Sequence, residues 1–156
     1  KVTGVQTCAL PILQAGLKAA GWPTIGDAVD PFALVAAVGD PMQIVAAGMA
    51  LAASSTTGVL LAGGTQMLAV QALAIAILRY LGGDRRLHQV VAGTTRWVAE
   101  DTTGDTIGLA NSLDGVSLLG TQLCFQDSQH PQLKAFEGGF VKEGVGAGGC
   151  AIAAHL

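Results

Sequence analysis

Residues 59–81 read Val59-Leu60-Leu61-Ala62-Gly63-Gly64-Thr65-Gln66-Met67-Leu68-Ala69-Val70-Gln71-Ala72-Leu73-Ala74-Ile75-Ala76-Ile77-Leu78-Arg79-Tyr80-Leu81. The opening residues Val59 to Ala62 are continuously apolar and bounded by turns, the pattern of a short strand buried on both faces. Gly63-Gly64 turns the chain, Thr65 can cap, and Gln66 to Leu81 predicts a helix that Gly82-Gly83 ends. A strand feeding a helix through a glycine turn is the repeating element of an α/β fold.

The flanking punctuation agrees. Asp30-Pro31 caps and starts a helix through about Val38, with Gly39 closing it, and Asp40-Pro41 does the same for Met42 to about Ala53. Downstream, Gln89 to Ala92 reads as a strand, followed by a polar loop from Gly93 to Asp105. A short helix covers Thr106 to Leu113, another strand lies within Ser117 to Phe125, and Pro131 opens a helix to Phe136 with Gly138-Gly139 as its stop. The alternation predicts a layered, Rossmann-like α/β fold with a mainly parallel sheet flanked by helices, present here as an incomplete piece. In such sheets ligands collect beyond the carboxyl ends of the strands. Gly63-Gly64, Gly93-Thr94 and Asp127-Ser128 all follow predicted strands and so are candidates to line one crevice.

Composition narrows the function classes. The 156 residues are 51% hydrophobic and only 12% charged, with a net charge of −3 that leaves no footprint for nucleic acid or an anionic membrane. Aromatic residues are 4%, so the core must be built from Ala, Val, Leu and Ile. Mean hydropathy is +0.52. Even so, the longest apolar run, Met67 to Leu78, is interrupted by Gln71 and is too short for a bilayer span. Cys8, Cys124 and Cys150 have no metal spacing and their odd count argues against a disulfide framework, so a cytoplasmic setting is expected. His88, His130 and His155 likewise have no ligand spacing, and no metal is expected.

Residues 2–12, VTGVQTCALPI, are the translation in one frame of a common sequencing-library adapter. They are read as a non-native segment spanning residues 1–12, with the native chain beginning near Leu13, part-way through a larger gene. Residues 13–156 then form the C-terminal part of the domain. Dense packing of Val5, Leu10 and Ile12 into a sheet would overturn this reading.

The strongest chemical candidate is Phe140-Val141-Lys142-Glu143-Gly144-Val145-Gly146-Ala147-Gly148-Gly149-Cys150, running into the small residues Ala151 to Ala154. One carboxylate precedes a run of glycines, and the residues that follow can continue as a helix. Glycine lets a backbone approach a ligand closely, and a helix start presents free N–H groups. The plainer alternative is a glycine-rich turn packed against a neighbour. Cys150 reads as a small core residue, Gly63-Gly64-Thr65 as a nest without a P-loop lysine, and Arg96-Trp97 beside Glu100-Asp101 as a surface loop with an ion pair.

Taken together, several segments resemble the C-terminal part of the nicotinate-nucleotide–dimethylbenzimidazole phosphoribosyltransferase family, and more closely its less-characterised related branch. They are VGDPMQIVAAGMALAA, VLLAGGTQMLAV, VVAGTTRWVAED, TQLCF with its Asp-Ser and His-Pro-Gln-Leu, and FVKEGVGAGGCAIA, in family order across most of Asp30 to Leu156. The resemblance implies that Glu143-Gly144-Val145-Gly146 matches a Glu-Gly-x-Gly segment holding the catalytic glutamate. It also matches Ser128 and Pro131 to a Ser-x-x-Pro element near the substrate phosphate, and Gly63 to a glycine after a buried strand. Ala62 replaces the usual Asp before that glycine, and Gly39-Asp40-Pro41-Met42-Gln43 replaces a Gly-Gly-Leu-Glu segment.

What the resemblance implies is transfer of 5-phosphoribosyl from nicotinate mononucleotide to a benzimidazole-type base in cobalamin lower-ligand assembly. Glu143 would be the base, with Gly144, Gly146, Gly63, Gly64 and Ser128 around the substrate. No cofactor is implied, the full-length parent is expected to be a homodimer, and the present piece is expected to be inactive alone. The alternative expectation is a protein of the same fold that binds a nucleotide or cobamide precursor without catalysis.

Overall fold

A computed structural model describes residues 5–22, 29–83, 87–113, 115–139 and 146–156, with side chains from Pro11 onward. Its helices are α1 (Val5–Ala19), α2 (Pro31–Val38), α3 (Pro41–Ser54), α4 (Thr65–Tyr80), α5 (Arg96–Ala99), α6 (Thr106–Ser112), α7 (Pro131–Glu137) and α8 (Gly146–Ala153). Its strands are β1 (Val59–Ala62), β2 (Val90–Thr94) and β3 (Ser117–Gly120). The strands pair in parallel in the order β1-β2-β3, with Val59 opposite Val90 and Ala92 opposite Leu118. The α/β architecture with a parallel sheet flanked by helices is therefore the one the alternation implies.

Local chemistry sets the helix starts. The Asp30 carboxylate accepts from the N–H groups of Phe32 (2.8 Å) and Ala33 (3.4 Å), and Pro31 supplies the first helical φ. Asp40 accepts from Met42 N–H at 2.8 Å, while its own N–H donates to Gln43 Oε1 at 3.4 Å, a capping box. The expectation that Thr65 caps α4 is corrected. Gly64 occupies the cap position and contributes no side chain to it, and Thr65 is the first helical residue.

One face of the sheet carries the core. Val59 and Leu61 of β1, Val90 and Ala92 of β2 and Leu118 of β3 pack against Ala47 of α3, the α4 residues Leu68, Val70, Ala74, Ile75 and Ile77, and Ala110 of α6. Each large aliphatic side chain removed from water there contributes about 1.5–3 kcal/mol. Gln71, which interrupts the apolar run in the sequence, is fully buried and its Nε2 donates to the Val90 carbonyl at 2.9 Å. The opposite face is thinner, because α8 covers β1 and β2 there and Leu119 of β3 stays exposed.

Other expectations need correction. β2 runs to Thr94 and α5 follows it, so the expected polar loop from Gly93 to Asp105 is shorter and partly helical. β1 is half-buried at Val59, Leu60 and Leu61 and exposed at Ala62, not buried on both faces. In α1, Leu17 is buried, while Ile12 is 72% exposed; the side chains of Val5 and Leu10 lie outside the described residues. Among the described residues, no helix is long and apolar enough to cross a membrane, and no His/Cys/Asp/Glu group could hold a metal ion.

The α3 side chains of Met42, Val45 and Met49 are exposed on one helix face, with Val45 at 59% and Met49 at 68%. Apolar faces of this kind favour association. The isolated 156-residue chain is expected to self-associate at micromolar concentration in sedimentation velocity. A monomeric, sharply melting chain would contradict this.

Candidate functional site

The carboxyl ends of the three strands meet at one edge of the sheet. Gly63 N–H donates to the Gly93 carbonyl (2.9 Å), so Gly63 continues the ladder beyond β1 and its donor is already used. Thr121 N–H donates to the Thr94 carbonyl (3.0 Å), and Arg96 N–H donates to Thr121 Oγ1 (3.4 Å). A Cβ built on Gly64 would lie 3.5 Å from Val98 Cγ1, and one on Gly120 would lie 3.3 Å from Ala99 Cβ. The start of α4, the short α5 and the end of β3 are therefore neighbours. In the first turn of α4, Met67 N–H donates to the Gly64 carbonyl (2.9 Å), and Gly64 has no side chain to cap the N–H groups of Thr65 and Gln66.

The beginning of α8 closes over this edge. A Cβ on Gly146 would point at the Ala62 carbonyl from 3.6 Å, with room to spare. Further along, contact is far tighter. A Cβ on Gly148 would fall 2.2 Å from the Thr94 carbonyl carbon and 2.3 Å from Thr95 N, and one on Gly149 would fall 2.4 Å from Ala62 Cβ. The glycine run thus divides. Gly148 and Gly149 are buried and let a helix lie against the backbone of two strands. Gly146 faces the Ala62 carbonyl at the carboxyl end of β1 without steric necessity.

Each expected site residue can now be placed. Glu143 and Gly144 lie outside the described residues. Gly63, Gly64 and Gly146 are brought to the same edge, through Ala62, which precedes Gly63 and faces Gly146. Ser128 belongs to a separate turn before α7, where its N–H donates to the Phe125 carbonyl (3.0 Å) and its Oγ accepts from His130 N–H (3.1 Å). Its described hydrogen bonds are local to that turn. Cys150 is exposed, correcting its reading as a core residue, because the helix turns Gly148 and Gly149 toward the sheet instead. The helix expected after the glycine run begins within it, at Gly146.

Sequence reading missed the cluster beside this edge. Arg96 Nε lies 3.9 Å from Glu100 Oε2, the expected local ion pair, but its Nη2 also lies 3.6 Å from Glu137 Oε1. The Glu137 side chain is only 10% exposed, and its other oxygen accepts from Phe125 N–H. Trp97 is not a surface residue of a loop. It stacks on Phe125 at 5.1 Å between ring centroids and meets Phe136 edge-on at 5.0 Å. Arg96 also lies against the Trp97 ring, 5.8 Å from its centroid. Phe125, Phe136 and Glu137 lie far from Arg96 and Trp97 in the sequence, so no local spacing could have revealed those contacts.

A pocket of about 310 Å³ opens here, lined by Arg96, Ala99, Glu100, Ile107, Gly120, Thr121 and Gln122. The buried Thr94 Oγ1, Thr95 Oγ1 and Trp97 Nε1 next to it have no hydrogen-bond partner among the described residues. Buried polar atoms are normally satisfied, so the two threonine hydroxyls at the end of β2 and the indole N–H of α5 are left for polar partners such as water. The arrangement offers backbone donors, hydroxyls and one guanidinium already flanked by two carboxylates.

Among proteins of known sequence, the chain matches a group of relatives. It is similar to UPF0284 proteins. Identity is 63% over 145 residues with the UPF0284 protein of Rippkaea orientalis, covering 93% of this chain and 39% of the relative. It is 62% over 145 residues with that of Gloeothece citriformis, covering 93% and 38%. With that of Trichodesmium erythraeum it is 57% over 147 residues, covering 94% and 40%. No family model matches. The chain spans about two fifths of the length of the curated relatives it matches, and their names state no reaction, substrate or cofactor.

The division of the glycine run has a direct consequence. In a full-length relative, alanine at the position of Gly148 should destabilise the fold by about 1–3 kcal/mol, because a methyl group cannot enter the contact with Thr94 and Thr95. Alanine at the position of Gly146 should leave stability within about 0.5 kcal/mol, as at an unconstrained site. Urea denaturation followed by circular dichroism measures both.

Proposed function

We propose that the full-length protein transfers 5-phosphoribosyl from nicotinate mononucleotide to a benzimidazole-type base, releasing nicotinate, in a cytoplasmic step of cobalamin lower-ligand assembly. The observation that carries this reading is the seat of α8. Glu143-Gly144-Val145-Gly146 leads directly into a helix whose first residue faces the carboxyl end of β1. That is where open parallel sheets bind their ligands. The resemblance of the segments around it to the phosphoribosyltransferase family supplies the reaction.

The chemistry asks little of the protein beyond placement and one proton transfer. A ring nitrogen of the acceptor attacks the anomeric carbon of the ribose. The bond from that carbon to the pyridinium nitrogen breaks, and its electron pair neutralises the ring as nicotinate leaves. The acceptor's N–H proton passes to Glu143, acting as general base. Because the leaving group already carries positive charge, no metal is required to activate it. Alignment of the two rings supplies the remaining rate enhancement. Gly63, Gly64 and Gly146 bring no side chains to the carboxyl edge, while the roles of Gly144 beside the glutamate and of the Ser128 hydroxyl at the phosphate rest on the resemblance. The acceptor and donor are small molecules, and the active protein is a homodimer with no nucleic-acid or membrane partner.

In the full-length protein, Glu143→Gln keeps size and shape while removing the proton acceptor. Equilibrium affinity for nicotinate mononucleotide should persist, and nicotinate release should fall by about 10²–10⁴-fold, the usual contribution of a general base. Release near the wild-type rate would remove Glu143 from the reaction. Binding by the wild-type protein with no release would instead make it a nucleotide-binding module.

A further inference from the structure

We propose that the free edge of β1, beneath the overhang of α3, is where the remainder of the full-length protein docks, pairing a further strand along β1. The proposal rests on the geometry of the layers and is independent of the reaction assigned above.

Three observations converge on this place. The first is width. On the core face α3 lies over β1, α4 over β2 and α6 over β3, with α4 touching both of its neighbours. Helices packed side by side need about 8–10 Å between axes, whereas strands are about 4.8 Å apart. A helix layer centred on β2 therefore overhangs the sheet by roughly one strand spacing on each side.

The second observation is the nature of that overhang. The outward face of α3 presents Met42, Val45, Gly48, Met49 and Ala52, all apolar and all exposed. Its inward face is equally apolar, through Ala47 and Ala50. Apart from Gln43 in the capping box and Ser54 in the last turn, α3 is apolar on both faces, and such a helix belongs inside a protein. The opposite overhang, at α6, is mixed, since the exposed Asn111 and Ser112 stand beside the exposed Ile107 and Leu109. That asymmetry selects the β1 side.

The third observation is the edge itself. Among the described residues β1 pairs only with β2, and its sequence Val59-Leu60-Leu61-Ala62 contains no charge, proline or bulge to discourage pairing. Val59 N–H donates to the Gln89 carbonyl (2.7 Å) and Gly63 N–H to the Gly93 carbonyl (2.9 Å). Strand alternation therefore turns the Leu60 N–H and carbonyl away from β2, toward the free side. Gly146 borders this side at the Ala62 carbonyl, which leaves Leu60 as the centre of the open stretch. Parallel sheets are normally covered and flanked rather than left with apolar edges in water.

The occupant follows from length. The chain spans 39% of the relative from Rippkaea orientalis, so most of such a protein lies beyond these residues. A segment of the same polypeptide is always present at high effective concentration, which a second copy is not.

The test is amide hydrogen exchange in the full-length relative, read at the position matching Leu60. In a monomeric sample, that amide should exchange as slowly as the one matching Leu61, on the order of 10²-fold or more slower than a solvent-facing edge amide. Rapid exchange at that position would overturn the proposal. So would protection that arises only as the protein dimerises with rising concentration, since the occupant would then be a second copy. As an independent check, Met49→Lys in the full-length protein should lower the melting temperature, because it places a charge under the docked segment. An unchanged melting temperature would show that nothing covers α3 and would also overturn the proposal.

Discussion

The burial of α4 against the central strand is the constraint on which the rest of this structure depends. α4 meets β2 along Leu68, Gln71 and Ala74, and it also supplies the wall against which α2, α3 and α6 lie. Gln71 makes this arrangement specific. A leucine there would fill the space equally well, but the amide gives the Val90 carbonyl a side-chain donor and ties the helix to one register on the strand. Its Oε1 has no partner among the described residues, a cost that the Nε2 bond and the surrounding packing outweigh.

With the sheet set, the glycines determine how closely the second layer can approach. α8 reaches the Thr94 and Thr95 backbone only because Gly148 carries no Cβ, and Ala62 only because Gly149 carries none. That contact holds the start of α8 at the carboxyl edge, beside the turn at Gly63-Gly64 and the hydroxyl-bearing end of β2. A packing requirement and a placement for chemistry are thus met by different glycines of one run. The Arg96–Glu137 pair and the ring contacts of Trp97 with Phe125 and Phe136 secure the far side, joining α5 to the segment that ends in α7. Removing Arg96 would leave the nearly buried Glu137 carboxylate without its charge partner, so this strut stiffens the rim of the pocket.

Much of the fold was legible because its signals are local. Asp30-Pro31 and Asp40-Pro41 start helices where expected, since a carboxylate acceptor and a fixed φ act within a few residues. The strand at Val59 and the helices at Thr106 and Pro131 were equally readable from apolar runs and turn residues. The candidate site was only half legible. Gly63, Gly64 and Gly146 were marked by composition, but so were Gly148 and Gly149, whose role is packing. Ser128 lies in its own turn, and Thr94, Arg96, Trp97 and Glu137 gave no local sign of their surroundings.

The sequence by itself determined most of the helices and strands, though not α5, and that the sheet is parallel and a helix lies at the glycine run. Those properties follow from backbone preferences and hydrophobic periodicity, which neighbouring residues settle among themselves. Only the tertiary structure decided which glycines touch strands, that Arg96 reaches Glu137, that Cys150 faces outward, and that β1 and α3 present apolar surface. These depend on how elements far apart in the chain are set against one another. That arrangement is fixed by the shape and burial of whole faces, and no short stretch of residues contains that information.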